Sequence, residues 1–536
     1  MKVIKLGLKY AKVKNKLVLY VLGNVVYSIL MLIIPYLTSL IIDIIVYTSD
    51  FDMLVGYCIY IAIIYLLRLL LSYFIKLLYA EIHITASYNM SRDFICHIHN
   101  CPVLKTDKMD PAYLNQRISQ DAGAVLAFSI FSVVNILKSS IEFLVAMVIV
   151  FIISPIIAAA SIALLGIYII VYQLLKKPLY ERNVLNREEQ ALYFSKMQEQ
   201  LQYTKFIKIH SLKSFFLDRL HLAFSSFRHS FVKYQRTSIL FYSLDGVVTV
   251  VSQILLYIAG GFLVILGSMT IGSFILVGLF FSKMLGAAGY FFSLSASYQD
   301  ALVSYNRMMD ILSWEVEKNG NAIPKIIANI TLEDISFCYD DKQVLNDFCY
   351  NFERGKMYGL VGENGCGKST LSKIILGLYK DEYKGKVTVN GKDISELDLH
   401  LLRKDKISYV EQESVLFTDT LEKNIFLWRD GNTNPHAEGV LDSLLSFVTG
   451  MPNNWRSMVA PKNNNLSGGE KQRIALARAL SRDSDVCIFD EPTSALDKEV
   501  VDNLIQYFCR IKVSKIVIIA SHDKRVLNVC DEIVML

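Results

Sequence analysis

Six long apolar segments in the first 300 residues constrain the fold of this chain more than any other feature. Each is long enough to cross the hydrocarbon core of a bilayer, which takes about 20 residues in a helix. The mean hydropathy is +0.37 although the last two fifths read as an ordinary soluble domain, so the apolar excess predicts a helical membrane domain. The predicted spans are 17–47, 54–79, 124–153, 156–175, 239–266 and 271–294.

The connections between these segments differ in length and charge. Those at 48–53, 154–155 and 267–272 are short and contain no Lys or Arg, whereas those at 80–123 and 176–236 are long and basic. Because basic connections stay in the cytoplasm, both termini and both long connections are predicted to be cytoplasmic. The composition of the long connections favours extended helical arms over loose loops.

The charge of the chain indicates lipid rather than nucleic acid as a partner. The formal net charge of +5 is small, and the positive excess is tied to the connections that flank the spans. The first sixteen residues carry six lysines and no acid, which predicts a basic amphipathic segment against anionic lipid. We expect no nucleic-acid partner.

Several ionisable residues fall inside the predicted spans. Charges at bilayer depth are costly, so they are expected to face the bundle interior or a water-filled path. Lys138 and Glu142 are one helical turn apart, so a local ion pair is an alternative for them. Snorkelling toward the cytoplasm is the alternative for Lys76. These residues are Arg68, Lys76, Lys138, Glu142, Asp245 and Lys283.

Hydrophobicity falls after residue 298, and the pattern changes. Residues 313–329, with several charges, a glycine and a proline, indicate a linker. From residue 330 onward, strand-like runs alternate with helical ones, which predicts an α/β domain on a largely parallel sheet. We therefore predict a six-span α-helical membrane domain at 1–312, the linker, and an α/β P-loop domain at 330–536.

Residues 362–370 read Gly-Glu-Asn-Gly-Cys-Gly-Lys-Ser-Thr, between an apolar strand-like run and a helical run. This fits the phosphate-binding P-loop, in which glycines let backbone N–H groups and a helix start surround an anion. Lys368 is expected to reach the β- and γ-phosphates of ATP, and Ser369 to hold Mg²⁺. The alternative is a glycine-rich turn that binds nothing. The predicted nucleotide contacts are Gly362, Glu363, Asn364, Gly365, Cys366, Gly367, Lys368, Ser369 and Thr370.

Three further motifs follow in order. Leu466 begins the sequence Leu-Ser-Gly-Gly-Glu at the start of a helix, an apolar strand ends in Asp490 and Glu491, and another strand leads to His522. Asp490 is placed to hold Mg²⁺ and Glu491 to polarise the attacking water. Together with the P-loop, these motifs closely resemble the ATP-binding cassette (ABC) family, of which Leu-Ser-Gly-Gly is the signature.

The resemblance implies roles that the residues alone would not assign. His522 would be the switch histidine at the γ-phosphate, and Gln412 would reach the metal and the attacking water. Tyr339 would stack on adenine; its alternative is an aromatic packed at a strand end. In the family, the signature of one subunit closes over ATP on the P-loop of the other, so the chain is expected to pair, as a homodimer or else a heterodimer. The corresponding residues are Ser467, Gly468, Gly469 and Glu470.

The resemblance covers nearly the whole chain and implies an exporter-type half-transporter with fused membrane and ATPase domains. Segments near 106–116 and 203–212 would be its coupling helices. An ATP-driven exporter of an amphipathic peptide, such as a bacteriocin, is the favoured hypothesis. A lipid or drug exporter is the alternative, and an ATP-gated channel or regulator is a different class.

Three smaller observations complete the expectation. The composition, rich in Ile, Lys, Asn and Tyr, is compatible with the cell membrane of a bacterium of low genomic GC content. No cytoplasmic domain precedes the first span in the sequence, so we expect no fused leader peptidase. The stretch 457–465 lacks the acidic Gly-Glu element expected of exporters.

Overall fold

The chain is described by a computed structural model covering residues 2–11, 14–48, 50–109, 114–115, 117–340, 342–427, 437–460 and 466–536. For some side chains between 160 and 176 and between 241 and 248, and for those at 292, 295, 296 and 438, only the backbone is described. The chain forms two compact units. One comprises Met1–His99 and Met109–Trp314, and the other Asn100–Lys108 and Glu315–Leu536.

The first unit is helical, and its helices continue well past the apolar windows, as predicted. Two π-helical turns, Ile44–Thr48 and Arg117–Asp121, adjoin these helices. The helices up to residue 312, including α4 of the second unit, are α1 (Lys2–Tyr10), α2 (Lys14–Asp43), α3 (Phe51–His99), α4 (Val103–Asp107), α5 (Ala122–Ile153), α6 (Pro155–Gln202), α7 (Thr204–Ile209), α8 (Lys213–Ile265) and α9 (Ile271–Leu312).

Within the described residues, four helical stretches are long and apolar enough to cross a membrane. They correspond to the first, second, third and sixth predicted spans. A shorter apolar stretch, Thr249–Ile265, falls within the fifth, and the fourth lies in the part of α6 whose side chains are only partly described. The count of six spans is consistent with this helix set and stays a prediction. The four stretches are Asn15–Thr48, Phe51–His99, Arg117–Ile153 and Ile271–Phe291.

Helix contacts divide the first unit into two groups. Helices α2, α3, α5 and α9 contact one another, and α6 runs along α8. Phe280 and Val277 of α9 are fully buried in one apolar cluster with Ala146 and Val150 of α5. Close apolar packing stabilises this part of the four-helix group.

Helix α1 was expected to lie on lipid through its apolar face. Instead, that face is covered by protein: Val3 and Tyr10 are buried in a cluster with residues of α3, α5 and α9. Gly7 makes the close approach possible, because a Cβ there would lie 2.3 Å from the Ser129 side chain. The lysines of α1 stay outward, so only its charged face remains available to anionic lipid.

The turn between α5 and α6 shows how local sequence sets a helix boundary. Ser154 adopts an extended backbone, and its hydroxyl accepts a hydrogen bond from the N–H of Ile157 at 3.4 Å. Pro155 follows as the first residue of α6. A backbone N–H at this position would have no partner within the helix, so its absence in proline costs nothing, and the fixed φ of proline suits a helix. The chain therefore ends one long helix and begins the next within a single turn.

The second unit is an α/β domain, as predicted, and contains a five-stranded parallel sheet. Its strands are β1 (Asn329–Tyr339), β2 (Lys342–Glu353), β3 (Met357–Val361), β4 (Lys384–Val389), β5 (Lys392–Asp393), β6 (Ile407–Val410), β7 (Asp419–Thr420), β8 (Met458–Val459), β9 (Val486–Asp490), β10 (Ile516–Ala520) and β11 (Glu532–Met535). Its further helices are α10 (Lys368–Ile375), α11 (Leu399–Leu401), α12 (Leu421–Ile425), α13 (Glu438–Leu444), α14 (Gly468–Leu480), α15 (Lys498–Ile511) and α16 (Lys524–Leu527).

The order of the parallel sheet, β11-β3-β10-β9-β6, decides where function can be placed. Both faces are buried: Tyr358 and Leu360 of β3 point into one core and Met357 into the other, as the period of a strand requires. Because neighbouring parallel strands end at one edge, the segments after β3, β10, β9 and β6 meet there. A separate antiparallel sheet has the order β2-β1-β4-β5.

Residues Asn100–Lys108 belong to the second unit although they precede most of the first in sequence. Val103 and Leu104 pack against its apolar core, Lys108 pairs with Asp340, and Asn100 accepts a 2.7 Å hydrogen bond from the N–H of Glu317. The predicted coupling segment 106–116 therefore overlaps a helix only at its start, and its residues 110–113 and 116 lie outside the described residues. The second predicted segment, 203–212, contains α7.

The predicted linker has little regular structure, but it is fixed to the second unit. Glu317 pairs with Arg403 at 2.9 Å, and the N–H of Gly320 donates to the carbonyl of Leu397 at 2.9 Å. Ile327 is fully buried in the core of the same unit. The segment is thus an ordered part of the α/β unit rather than a loose tether.

Candidate nucleotide-binding site

A cleft of about 460 Å³ lies where the strands of the parallel sheet end. It draws residues from the end of β1 and start of β2, from the P-loop and α10, and from the segments after β6, β9 and β10. The lining residues are Tyr339, Lys342, Val344, Asn364, Gly365, Gly367, Lys368, Ser369, Thr370, Gln412, Asp490, Glu491 and His522.

The P-loop backbone needs glycine at two positions. Gly365 has φ of 84° and Gly367 φ of 110°, in the left-handed region that other residues avoid. A Cβ at Gly367 would also lie 2.8 Å from Val344 Cγ1. Helix α10 begins directly after Gly367, so the backbone N–H groups of its first turn, which have no partner within the helix, lie at the cleft. This arrangement suits a phosphate.

The cationic side of the cleft is formed around Lys368. Its ammonium donates to the carbonyl of Gly362 at 2.7 Å and lies 3.2 Å from Nε2 of His522. Lys342 adds a second cation at the rim. Two positive side chains and a helix start at one cleft favour a multiply charged anion.

The acidic side is formed by two adjacent carboxylates at the end of β9. Asp490 is 3% exposed and accepts a hydrogen bond from the hydroxyl of Ser369. In the sheet only β10 separates β9 from β3, so residues 121 positions apart in sequence come into contact. A hydroxyl and a carboxylate side by side are ligands that Mg²⁺ prefers.

Glu491 is held in an unusual backbone conformation, with φ of 49°. Its N–H donates to the carbonyl of Ala520 at 2.9 Å, and its carbonyl accepts from Nε2 of Gln472 at 2.7 Å. Gln472 in turn accepts from the N–H of Ala495 at 3.0 Å. These bonds fix a strained residue whose carboxylate lies 3.8 Å from His522.

Sequence reasoning missed Gln472, Lys342 and Val344. Gln472 is 6% exposed although it is polar, and a polar residue on the buried side of a predicted helix was the available signal. Lys342 and Val344 carry no motif, and they reach the cleft only because β2 folds back along β1.

Burial raises the pKa of Glu491, and the adjacent carboxylate of Asp490 raises it further; His522 and Lys368 act in the opposite direction. A carboxylate that holds a proton more strongly than usual is a better proton acceptor when it is ionised. Gln412, two residues past β6, lines the same cleft and supplies a neutral polar group.

Tyr339 is an aromatic packed at a strand end, and its stacking on adenine stays a prediction. Its ring packs edge-on against Phe337 at 4.9 Å between ring centres, and its hydroxyl lies 3.1 Å from that of Tyr379. The same residue is half-buried and lines the cleft. It is therefore an aromatic packed at a strand end that also presents a surface to a ligand.

Three predicted P-loop contacts do not line the cleft, namely Gly362, Glu363 and Cys366. The thiol of Cys366 lies beside Gly362, where an added Cβ would be 2.5 Å from Sγ. The loop thus turns this side chain back toward its own start, and a position of the thiol close to bound phosphate stays a prediction.

The signature residues Ser467, Gly468, Gly469 and Glu470 also lie outside this cleft. They begin α14 with a reciprocal cap: Glu470 N–H donates to the Ser467 hydroxyl at 3.2 Å, and Ser467 N–H donates to the Glu470 carboxylate at 2.7 Å. Ser467 and Gly468 are exposed, and a Cβ at Gly469 would lie 2.5 Å from the carbonyl of Ala495. Of the stretch 457–465, residues 461–465 lie outside the described part of the chain.

Two family models match the chain. One, described as ABC transporter transmembrane region, covers residues 17–288, and the other, described as ABC transporter, covers residues 345–494. The chain belongs to the ABC transporter family. Its membrane region and its ATP-binding region are fused in one polypeptide, as the resemblance implied.

Relatives of this ABC transporter include the lactococcin-G-processing and transport ATP-binding protein LagD of Lactococcus lactis, 30% identical over 70% of this chain and 54% of LagD. A probable ABC transporter ATP-binding/permease protein of Haemophilus influenzae is 30% identical over 45% of this chain and 44% of the relative. The chain thus spans about half the length of these relatives.

The fold has a close structural counterpart. A bacterial Atm1-family ABC exporter, solved with ATP bound, has a TM-score of 0.86 at 19% sequence identity. The similarity covers 98% of this ABC transporter chain and 94% of the other. It establishes a shared exporter fold.

Proposed function

We propose that the chain is one subunit of an ATP-driven exporter, which hydrolyses ATP with Mg²⁺ and moves a substrate from the cytoplasm or the inner leaflet to the outside. One observation carries the proposal. A single cleft combines a phosphate loop, a hydroxyl–carboxylate pair suited to Mg²⁺, and a half-buried, strained glutamate with a raised pKa. Binding groups alone would explain a nucleotide sensor, but the glutamate adds a means of activating water.

Each group in the cleft has a chemical role. The P-loop N–H groups and Lys368 bind the β- and γ-phosphates, and Ser369 with Asp490 holds Mg²⁺, which would neutralise phosphate charge. Glu491 accepts a proton from the attacking water, while His522 and Gln412 position the γ-phosphate and that water. Tyr339 offers its ring to adenine.

The signature residues support pairing of two chains. Their helix start is exposed and lies outside the chain's own cleft, yet its N–H groups and the Ser467 hydroxyl suit an anion. A second chain related by two-fold symmetry would place Ser467–Glu470 over this cleft and receive the same in return. We favour a homodimer over a heterodimer.

Residues Asn100–Lys108 support coupling of ATP hydrolysis to movement in the membrane. They are built into the ATP-binding unit and are continuous in sequence with the long helix α3. Closure of two ATP-binding units on ATP would pull on this segment and tilt the helices, and hydrolysis would reset them.

We place the protein in a bacterial cell membrane as a multi-pass protein, with both termini and the ATP-binding unit in the cytoplasm. The short connections without Lys or Arg and the basic long ones support this orientation. For the substrate we propose an amphipathic peptide such as a bacteriocin, in line with the name of the relative LagD.

Reconstitution in proteoliposomes tests the function. The wild-type chain with ATP and Mg²⁺ should move a labelled amphipathic peptide across the bilayer, and Glu491→Gln should stop the movement. Glu499→Gln is the matched control, because Glu499 is an exposed acid on the next helix. Ion conduction that persists in Glu491→Gln would instead support an ATP-gated channel and overturn the proposal.

A further inference from the structure

A polar cluster lies inside the four-helix group of the membrane unit. It is centred on Tyr27 of α2 and contains Arg68 of α3, Lys138 and Glu142 of α5, and Lys283 of α9. All five side chains are half-buried rather than turned fully outward. Each helix of the group therefore contributes to one site, which none of the motifs described above accounts for.

Aromatic rings position two of the cations. The guanidinium of Arg68 lies 4.9 Å from the ring centre of Tyr65 and 5.8 Å from that of Tyr27, and it donates to the sulfur of Met31 at 2.9 Å. The ammonium of Lys138, on α5, lies 5.4 Å from the ring centre of the same Tyr27, on α2. Cation–π contacts hold a cation without neutralising its charge.

The charges in this cluster do not cancel. Lys138 and Glu142 do not form the local ion pair that their spacing allows; within the described residues, the contact found for Lys138 is the one with Tyr27. Lys283 interacts electrostatically with Glu142, Lys138 and Arg68, so three cations share one carboxylate. Uncompensated positive charge within the membrane is costly, and its retention points to a ligand that supplies negative charge.

The depth of the cluster decides what kind of ligand fits. At about 1.5 Å per residue, Lys283 lies about 18 Å and Arg68 about 26 Å along their helices from the end that follows a short connection without Lys or Arg. A hydrocarbon core is about 30 Å thick, so Arg68 lies nearer the cytoplasmic side, whereas Lys283 lies close to the middle of the core, away from the headgroups of both leaflets. This depth favours a carboxylate carried into the membrane by a substrate over the phosphate of a resident lipid.

We propose that this cluster binds the carboxylate groups of an acidic amphipathic peptide, so that the exporter selects substrates with negative charge on their polar face. The inference rests on the proposed export function and defines its substrate class. Arg68 offers a planar pair of donors to one carboxylate, Lys138 and Lys283 offer ammonium groups, and Glu142 repels an excess of acid. The tyrosine rings accept the apolar part of the same peptide.

Binding to the full-length protein in nanodiscs of neutral phosphatidylcholine, without nucleotide, tests the site directly. The probes are three fluorescent amphipathic helical peptides of equal hydropathy, with Glu, Gln or Lys on the polar face. We expect the Glu peptide to bind roughly tenfold or more tightly than the Gln peptide and the Lys peptide to bind weakest, because charge-assisted contacts are formed only by the first. Equal binding of the three peptides would overturn the proposal.

Substitutions locate the site. Lys138→Gln with Lys283→Gln should abolish the preference for the Glu peptide, and Lys138→Arg with Lys283→Arg should retain it, which separates charge from folding. Lys76→Gln is the matched control, since Lys76 is an exposed lysine on the same helix as Arg68. Loss of the preference in Lys76→Gln to the same extent would refute the assignment.

Two further outcomes are distinguishable. Phosphatidylglycerol can be added to the discs as a second probe. If its binding requires Lys138 and Lys283 but the binding of the peptides does not, the ligand is a lipid and the peptide assignment fails. Because these measurements need no ATP, selective peptide binding without ATP-driven transport counts against the proposed function alone. ATP-driven transport at equal rates for the Glu, Gln and Lys peptides counts only against the proposed role of the cluster in substrate selection.

Discussion

Two helices of the ATP-binding unit begin at glycine-rich motifs, and they differ in how their first turns are satisfied. Helix α10 follows Gly367, which has a left-handed backbone and no side chain to cap the helix. Helix α14 follows Ser467, whose hydroxyl and partner Glu470 form a complete capping box. The first start lies in a cleft with lysine and carboxylate groups, whereas the second lies outside that cleft and is exposed.

The difference shows that the same secondary-structure feature serves two purposes. An uncapped start leaves its N–H groups available, and binding an anion there satisfies them, so α10 depends on its ligand. A capped start is stable by itself and has only spare donors to offer, so we expect α14 to contribute to a ligand that is held mainly elsewhere. Substitutions at the two helix starts and at the groups around the cleft can break or sharpen this distinction.

The largest effect on ATP hydrolysis is expected from substitution of Glu491, whose carboxylate lines the cleft. Glu491→Gln should lower ATP hydrolysis by about a hundredfold to ten-thousandfold, because the proton acceptor is lost. ATP binding should persist, since Glu491 is not a phosphate contact. Phosphate release and nucleotide binding, measured on the same preparation, separate the two. Equal loss of both would show that Glu491 acts in binding instead.

Mixed dimers test whether α14 serves a neighbouring cleft. Lys368→Ala removes the P-loop cation, and Gly469→Val places a side chain against the carbonyl of Ala495, so each homodimer should be inactive. A purified mixed dimer has one site with both lesions and one intact site, and should recover about half of the wild-type hydrolysis. No recovery would mean that each chain uses its own α14.

Tyr339 should contribute to nucleotide affinity without changing the chemistry. Tyr339→Ala should weaken ATP binding by roughly tenfold, the scale of one stacked base. Tyr339→Phe keeps the ring and loses the hydroxyl contacts with Tyr379 and Thr370, so its affinity should stay near that of the wild type. Titration with a fluorescent ATP analogue checks both, and equal weakening would assign the role to the hydroxyl.

The pH dependence of hydrolysis should reflect the burial of Glu491. Its pKa is raised, so the neutral, inactive carboxyl forms at a higher pH than for an ordinary glutamate. Hydrolysis at saturating ATP should therefore fall as the pH is lowered, before exposed carboxylates titrate. The residual hydrolysis of Glu491→Gln should not follow this fall; a parallel decline would place the titrating group elsewhere.

The smallest effect is expected from the cap of α14. Ser467→Ala should destabilise the helix start by about 1 kcal/mol, the usual cost of losing such a cap. Ser467→Asp keeps an acceptor and should restore the stability, although not the hydroxyl donor. Thermal unfolding measures the first effect and hydrolysis the second. Full stability in Ser467→Ala would show that the capping box is dispensable.

Sequence predicted the parts of the site that local motifs specify. The P-loop, Asp490, Glu491, His522 and Gln412 meet in one cleft because strand order in a parallel sheet follows from simple connection rules. Motif spacing says nothing about where a side chain turns within a loop. The motif therefore does not specify that the Cys366 thiol lies beside Gly362.

Contacts between residues far apart in sequence could not be predicted from the sequence either. The partner of Lys138 is Tyr27 on another helix, although an acid lies one turn away in sequence. Likewise, Asn100–Lys108 joins the ATP-binding unit across more than two hundred residues of intervening chain. Hydropathy defines spans, but it does not specify which helices become neighbours. Asp245, predicted to line a polar path, lies outside the described side chains.

The single-turn junction at Ser154–Pro155 has a mechanical consequence. Helix α6, which begins there, has 48 residues and so measures about 72 Å along its axis. A straight rod of that length would act as a lever: a tilt of only about 5° would displace its far end by about 6 Å, roughly the pitch of one helical turn, and Pro178, inside the helix, is the point at which bending would reduce this displacement. Small rotations at one end can thus produce displacements at the other as large as an entire side chain.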